Sequence, residues 1–466
     1  MPLPTDITAL QNMVTELLTE VKTLQTQVAT LKLENDRLKA ALAQDSRNSH
    51  RPPSSDGLRK KPAFPRKKGG KRGGKQGHKG KTLDFVATPD YQLRHRAQRC
   101  ECGEDLSELP QYTLSKRQVF ELPSPKLEVT EHQVQACICP RCNRLNKGNF
   151  PTEVKAHTQY GPKAKALAIL LNNAYKLPYR KVRQFFNDVF GYPINEATQY
   201  HAQKQCFERL ESLEKVHKTA LLQSPVNHFD ETGMRVKGKL HWLHCCSNEQ
   251  WTYLFIHQNR GNLAIQDHPS ILPQYKGWDI HDCWLAYFLH PQCQHAVCGA
   301  HLLRELHAVE QNGRQWAARM KELLLYAYEQ SNQGRRAVLN QSVFRTIDLQ
   351  YERICRQAHQ EEPLPQKGTG HRPKQTKGRN LLKRLKKHKN AVLAFAKYPK
   401  VPFTNNQAER DLRPAKIKQK VSGGFRTLQG AHYFARIFGA ISTFIKHQLN
   451  VFNQFVTVVS QNLNTQ

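Results

Sequence analysis

His228-Phe-Asp230-Glu231-Thr-Gly-Met-Arg-Val-Lys237-Gly238-Lys239-Leu-His-Trp242 places two adjacent acids at the start of a β-hairpin. Val226 to Val236 suits a strand, Lys237-Gly-Lys239 a turn, and Leu240 to Ser247 the returning strand. Asn248-Glu-Gln250 turns the chain again, and Trp251 to Ile256 reads as a third strand. Side chains alternate along a strand, so Val226, His228 and Asp230 share one face while Phe229 and Glu231 share the other. Only one of the two acids can therefore point into a given site.

Working outward, a poorly helical connector leads to Gly277-Trp-Asp279-Ile-His281-Asp282-Cys-Trp284, which predicts a fourth strand with a carboxylate at its end. Three antiparallel strands followed by a parallel strand bearing a second acid is the order expected of an RNase H-like core. Asp279 is the rival to Asp282, although it sits nearer the start of the strand. A third acid lies in Thr404-Asn405-Asn406-Gln-Ala-Glu409-Arg410-Asp-Leu-Arg413-Pro. Thr404 or Asn405 can cap a helix there, putting Glu409 in an early turn and Arg413 on the same face one turn later. Lys416, Lys418, Lys420 and Arg426 follow, with Ser422-Gly423-Gly424 allowing close backbone approach, a set suited to phosphates.

The whole composition agrees with a polyanion partner. Among 466 residues, 71 Lys and Arg face 38 Asp and Glu, a formal charge of +33, and each phosphate neutralised releases counterions. That length suits two to four domains. Met-Pro-Leu-Pro-Thr-Asp lacks a basic region leading into an apolar core, and no apolar run approaches membrane-spanning length. The expectation is a cytoplasmic protein without a membrane partner, whose 12 cysteines are metal ligands or buried thiols sooner than disulfides.

Toward the N-terminus, Leu10, Leu17, Leu24, Leu31 and Leu38 recur every seven residues, with Val14, Val21, Val28, Asn35 and Leu42 at the complementary positions. Leu at d, Val at a and the single polar Asn35 predict a parallel two-stranded coiled coil over residues 1–44, and hence a homodimer or higher oligomer. Residues 45–84 carry Arg59, Lys60, Lys61, Arg66, Lys67, Lys68, Lys71, Arg72, Lys75, Lys79 and Lys81, with no acid from 57 to 83. Such a segment cannot bury a core and reads as a disordered basic arm along a DNA backbone.

Cys100-Glu-Cys102-Gly and Cys137-Ile-Cys139-Pro-Arg-Cys142 follow. Cys100, Cys102, Cys139 and Cys142 make a pair of pairs suited to a structural Zn²⁺, Cys137 being a spare, and predict a zinc ribbon over 85–155. Gln118 to Pro123 and Lys126 to His132 are its expected strands. Residues 156–222 look helical, with a turn and N-cap at Gly191 to Thr198, compatible with a helix-turn-helix and equally with ordinary helical packing. The remainder, 223–466, is the expected α/β core, and the long interval before Glu409 implies a helical insertion at about 305–400. Cys298-x-x-His301 opens that interval, near His290, Cys293 and His295; the irregular spacing favours a packed element over a metal site. The basic run from His371 to Lys389 is a further DNA-contact candidate.

HFDETGMRVKGKLHWLH, the Asp282-Cys-Trp-Leu-Ala-Tyr segment, CGAHLLREL and above all TNNQAERDLRPAKIKQKVSGGFRT resemble the DDE transposases of the insertion sequence sixty-six family over nearly the whole chain. The resemblance implies that Asp230, Asp282 and Glu409 are the catalytic triad, that Mg²⁺ or Mn²⁺ is the cofactor, and that double-stranded DNA is the partner, both at element ends and at the target. It implies small accessory proteins encoded by the same element as further partners. Three convergent carboxylates can hold divalent ions that activate a nucleophile and stabilise the leaving oxygen of a phosphodiester. Two other classes remain open from the residues alone: a DNA-binding regulator that does not cut, and a nuclease or resolvase that cuts without joining.

Overall fold

The computed structural model describes residues 6–42, 83–267, 269–333, 339–364 and 375–460. Arg66, Lys67, Lys68, Lys71 and Arg72 of the basic arm lie outside the described residues, as do His371 to Lys374 of the later basic run.

Helix α1 spans Ile7–Leu42. Of its heptad positions, Leu10 is half-buried, whereas Val14, Leu17, Val21, Leu24, Val28, Leu31 and Asn35 are exposed. The side chain of Leu38 falls outside the described residues.

One compact unit contains both cysteine pairs. Its hairpin joins β1 (Ala136–Ile138) to β2 (Leu145–Lys147), antiparallel. The second cysteine pair occupies the connecting turn, where Cys139 N–H donates to the Arg144 carbonyl at 2.9 Å and Asn143 takes a φ of 56°. Cys100 and Cys102 occupy another tight turn, closed by Cys100 N–H to the Glu104 carbonyl at 2.9 Å and by Gly103 at a φ of 96°. The strands expected at Gln118 to Pro123 and Lys126 to His132 form no ladder among the described residues. Pro123 and Pro125 lack the N–H a ladder needs, and Val119 and Val129 face solvent instead of a core.

The other unit holds the sheet. It also includes α1, and ahead of the sheet run α2 (Pro162–Asn173), α3 (Tyr179–Phe190), whose last residues fall in the cysteine-bearing unit, α4 (Glu196–Arg209) and α5 (Glu211–Gln223). The expected cap is present: the Asn195 side chain accepts the Thr198 N–H at 2.7 Å and starts α4. The strands are β3 (Val226–Val236), β4 (Lys239–Ser247), β5 (Thr252–His257), β6 (Trp278–His281) and β7 (Gln294–Val297), with α6 (Asn262–Gln266) in the connector. Lys237 and Gly238 both adopt positive φ in the β3–β4 turn, which matches the twist of the flanking strands.

Sheet order is β5-β4-β3-β6-β7: β3, β4 and β5 are antiparallel neighbours, β6 runs parallel to β3, and β7 parallel to β6. Strand β7 is not legible in the sequence, since Gln294-His-Ala-Val297 is too short to show alternation.

Helices α7 (Gly299–Gln311), α8 (Gln315–Gln333), α9 (Gln341–Glu361), α10 (Lys377–Lys387), α11 (Lys389–Val392) and α12 (Ala394–Lys397) intervene before α13 (Asn406–Ser422), α14 (Leu428–Lys446) and α15 (Val451–Ser460). Three apolar clusters hold this unit. Met234, Val236, Leu243, Cys245, Leu254 and Ile256 of the sheet pack with α2, α4 and α13–α15. Phe229, Cys246 and Tyr253, on the opposite face, pack with Leu221 and Tyr275. Ile280, Ala296 and Val297 pack with α7–α12 through Trp316, Met320, Tyr351 and Leu382. Alternation along β3 therefore gives it two different covers, α13 on the Asp230 side and the connector on the Glu231 side.

Candidate active site

Strand β3 delivers Asp230, the end of β6 delivers Asp282, and the first turn of α13 delivers Glu409. Burial, then the charges of Glu231, Asp282 and Glu409, hold the Asp230 carboxyl well above the usual carboxylate range. The charges of neighbouring acids thus reach Asp230 through a low-dielectric interior. Glu231 N–H donates to Asp230 Oδ1 at 2.9 Å, while Glu409 Oε1 is buried with no hydrogen-bond partner. Three acids on neighbouring elements offer oxygens to a divalent cation, but among the described residues they do not gather within 4.8 Å of one another, and Glu409 groups instead with Cys298 and His301.

Asp282 sits one residue beyond β6. Its Oδ1 accepts the Trp284 N–H at 3.1 Å, and Cys283 between them takes a φ of 70°, a left-handed conformation unusual for a residue with a side chain. Asp279, the rival, points elsewhere and is wholly buried on β6.

Glu231 serves a different role from its neighbour. Arg260 Nε donates to its Oε1 at 2.7 Å and the Tyr287 hydroxyl to its Oε2 at 2.5 Å. Burial and then Asp282 raise the Glu231 carboxyl, while Arg260 and Tyr287 draw it back. Arg260 Nη2 also lies 3.8 Å from Asp282 Oδ2, and its guanidinium stacks between the rings of Trp242 and Trp284 at 5.0 and 4.4 Å. Nothing in the sequence around Arg260 points to this clamp; its partners are distant in the chain.

Asn405 is the other residue missed, or rather misassigned. It precedes α13 but makes no side-chain cap. Instead its Nδ2 donates to the Phe229 carbonyl at 2.8 Å and its Oδ1 accepts the His228 Nδ1–H at 2.9 Å. Its own N–H reaches Cys298 Sγ at 3.2 Å. One buried side chain therefore fastens the strand of Asp230 to the helix of Glu409. Burial pushes His228 down to about 4, so the ring is neutral and one nitrogen carries the donated proton. Cys298, His301 and Glu409 each offer an atom within 4.8 Å of the other two, and His301 Nδ1 lies 3.8 Å from Glu409 Oε1. Burial pushes the Cys298 thiol up to about 11.

The cationic residues divide. Arg410, Arg413, Lys420 and Arg426 are exposed. Lys416 Nζ instead donates to the Gly233 carbonyl at 2.6 Å, and Lys418 is buried, donating to the Asn172 carbonyl at 3.2 Å, with burial lowering it to about 8. Lys418 thus ties α13 to α2 and does not face a DNA surface, a placement that helical spacing beside Pro414 does not reveal. The two glycines also differ from expectation. Gly423 ends α13 at a φ of 71°, and a Cβ on Gly424 would lie 2.6 Å from the Arg235 carbonyl. Phe425 N–H donates to that carbonyl and Lys237 N–H to the Phe425 carbonyl, both at 2.8 Å. The glycines let the backbone approach β3.

All four zinc candidates are free thiols. In each turn the second cysteine's backbone N–H lowers the first thiol, Cys102 acting on Cys100 and Cys142 on Cys139, which favours thiolate ligands. The two pairs do not converge into one four-sulfur cluster among the described residues. No described helix is long and apolar enough to cross a membrane.

Compared with known families, the chain matches the one described as Transposase IS66 family over residues 157–433 and one described as a family of unknown function (DUF6444) over residues 1–84. None of the curated proteins matches it.

Proposed function

Since the chain belongs to the IS66 transposase family, we propose that it binds the ends of its DNA element and cleaves and joins DNA strands by a metal-dependent DDE mechanism. The observation that carries this reading is buried Asp230, whose carboxyl is raised by burial and then by Glu231, Asp282 and Glu409. Asp230 lies on β3, Asp282 just past β6 of a sheet ordered like an RNase H core, and Glu409 on helix α13.

Asp230, Asp282 and Glu409 are the residues that would hold Mg²⁺ or Mn²⁺. When bound, the metal supplies Lewis-acid activation of a water or 3′-hydroxyl and charge stabilisation for the leaving oxygen. The chain's own work is positional: β3 and α13 are locked together through Asn405, and Arg260 holds the Glu231 charge beside Asp282. Arg410, Arg413, Lys420 and Arg426 would track phosphates, extended by Arg66, Lys67, Lys68, Lys71 and Arg72 of the basic arm. Cys100, Cys102, Cys139 and Cys142 would close on a structural Zn²⁺, and a second copy of α1 would cover the exposed Val and Leu stripe to pair two element ends. Accessory proteins of the same element would join that assembly in a cytoplasmic reaction.

The test is a strand-transfer assay with a labelled element end, a supercoiled target and Mg²⁺. Asp230→Asn, Asp282→Asn and Glu409→Gln should each abolish cleavage and joining while end binding persists. Joining at the parent rate by Glu409→Gln would refute the triad; cleavage without joining by the parent would make the protein a nuclease.

A further inference from the structure

Beyond the three acids, the sheet carries another group of ligand-type side chains. Asp279 and His281 lie two residues apart on one face of β6, and His295 on β7 is the register partner of Asp279. Each offers an atom within 4.8 Å of the other two. Asp279 and His281 are wholly buried.

The hydrogen bonds around His295 define what the group lacks. His295 Nε2 lies 3.2 Å from the His290 carbonyl oxygen, which can only accept, so Nε2 carries the proton. The ring's other nitrogen, Nδ1, faces Asp279 Oδ2 at 3.5 Å. His281 Nε2 has no hydrogen-bond partner among the described residues, and the neighbour of the Asp279 carboxylate is the His295 ring. A buried carboxylate beside two imidazoles offers three ligand atoms to one cation. A ligand histidine whose other nitrogen donates to a backbone carbonyl is the usual arrangement at metal sites.

Aromatic rings close the space. Tyr287 stacks on His281 at 4.8 Å, Phe288 meets His281 and His295 at 4.7 and 5.0 Å, and His388 stacks on Phe288 at 3.7 Å. Two imidazoles and a carboxylate suit zinc, with a further ligand completing a tetrahedral shell. We propose that Asp279, His281 and His295 form a structural zinc site that pins β7 to β6 immediately before Asp282. Binding through His281 Nε2 moves that ring's proton to Nδ1, at the expense of one long contact, the Cys283 N–H at 3.2 Å.

The site is separable from both the catalytic acids and the cysteine pairs, so its failure would leave the transposase reading intact. Full-length protein carrying Cys139→Ser and Cys142→Ser is expressed with zinc, dialysed against metal-free buffer and analysed for metal by mass spectrometry. This variant should retain one zinc per chain, and adding Asp279→Ala or His295→Ala should remove it. Should those variants fail to fold, cobalt loaded into the parent Cys139→Ser, Cys142→Ser protein decides the matter. Tetrahedral cobalt absorption without a thiolate charge-transfer band supports the site. A thiolate band, or a cysteine variant that retains no zinc and takes up no tetrahedral cobalt, overturns it; in the latter case a proton joins Asp279 to His295. Zinc retained undiminished by folded Asp279→Ala would also overturn it.

Discussion

Replacing Asn405 by Ala should uncouple the two halves of the proposed catalytic constellation. The side chain is almost wholly buried and makes two hydrogen bonds, to the Phe229 carbonyl at 2.8 Å and from His228 Nδ1 at 2.9 Å. Alanine deletes both and leaves a carbonyl and an imidazole N–H without partners in the interior. Each orphaned group costs about 1–3 kcal/mol, so the loss should total about 2–6 kcal/mol. The functional loss should be larger than stability alone explains, because α13 is then free to shift relative to β3. A displacement of Glu409 by about 1 Å would slow the reaction on the order of 100-fold. Asn405→Asp keeps the size and the acceptor for His228 but sets a carboxylate oxygen against the Phe229 carbonyl, so it should do no better. Urea unfolding followed by tryptophan fluorescence reads the first effect, and single-turnover cleavage of a labelled element end, at a temperature where each variant is folded, reads the second. An Asn405→Ala protein within about 0.5 kcal/mol of the parent and cutting at the parent rate would refute the coupling.

Arg260→Ala should cost about 2–4 kcal/mol in the same unfolding measurement, because the buried Glu231 charge keeps only Tyr287; Arg260→Lys should recover little, lacking the planar stack between Trp242 and Trp284. Lys446→Met should cost about 3–5 kcal/mol, since it removes the ammonium 2.8 Å from Asp411 Oδ2 and leaves that buried carboxylate only the neutral donors Gln407 and Ser442, and Asp411→Asn combined with it should recover part of that loss in a double-mutant cycle. Burial lowers His217 to about 4, below its unfolded value of about 6.5. The unfolded state therefore binds more protons between those values, and stability, fully present above pH ~6.5, should fall as pH drops toward ~4, by at most about 3 kcal/mol from this residue. His217→Phe should flatten that part of a pH series of unfolding midpoints. Leu24→Pro should abolish self-association in sedimentation while leaving single-end binding, and continued dimerisation would count against the coiled coil.

What the sequence disclosed was local. Alternation and turn chemistry marked β3, β4 and β5 to within a residue or so, and Asn195 was recognisable as a cap because Thr198 lies three positions on. Asp230 and Glu231 could be separated onto opposite faces from strand geometry alone. What escaped depends on chain segments meeting across large separations. Asn405 looks like a helix cap until His228 is brought to it, and Arg260 looks like a loop cation until Trp242 and Trp284 enclose it. Lys418 has the spacing of a phosphate contact, yet α2 covers it. β7 is legible only as the partner of β6, since four residues carry too little pattern.

The distribution of the acids along the chain has a consequence for synthesis. Asp230 and Asp282 emerge from the ribosome early, but Glu409 comes after α7–α12, and the apolar sheet face of Met234, Leu243 and Leu254 stays open until α13, α14 and α15 arrive to cover it. Chemistry and core closure thus wait for the same last stretch of polypeptide. A nascent or prematurely terminated chain would carry the heptads, the basic arm and the cysteine turns without a completed cutting centre. Under the proposed function, such a product would bind element ends and pair with full-length chains without contributing catalysis, and incomplete translation would act as a brake on the element.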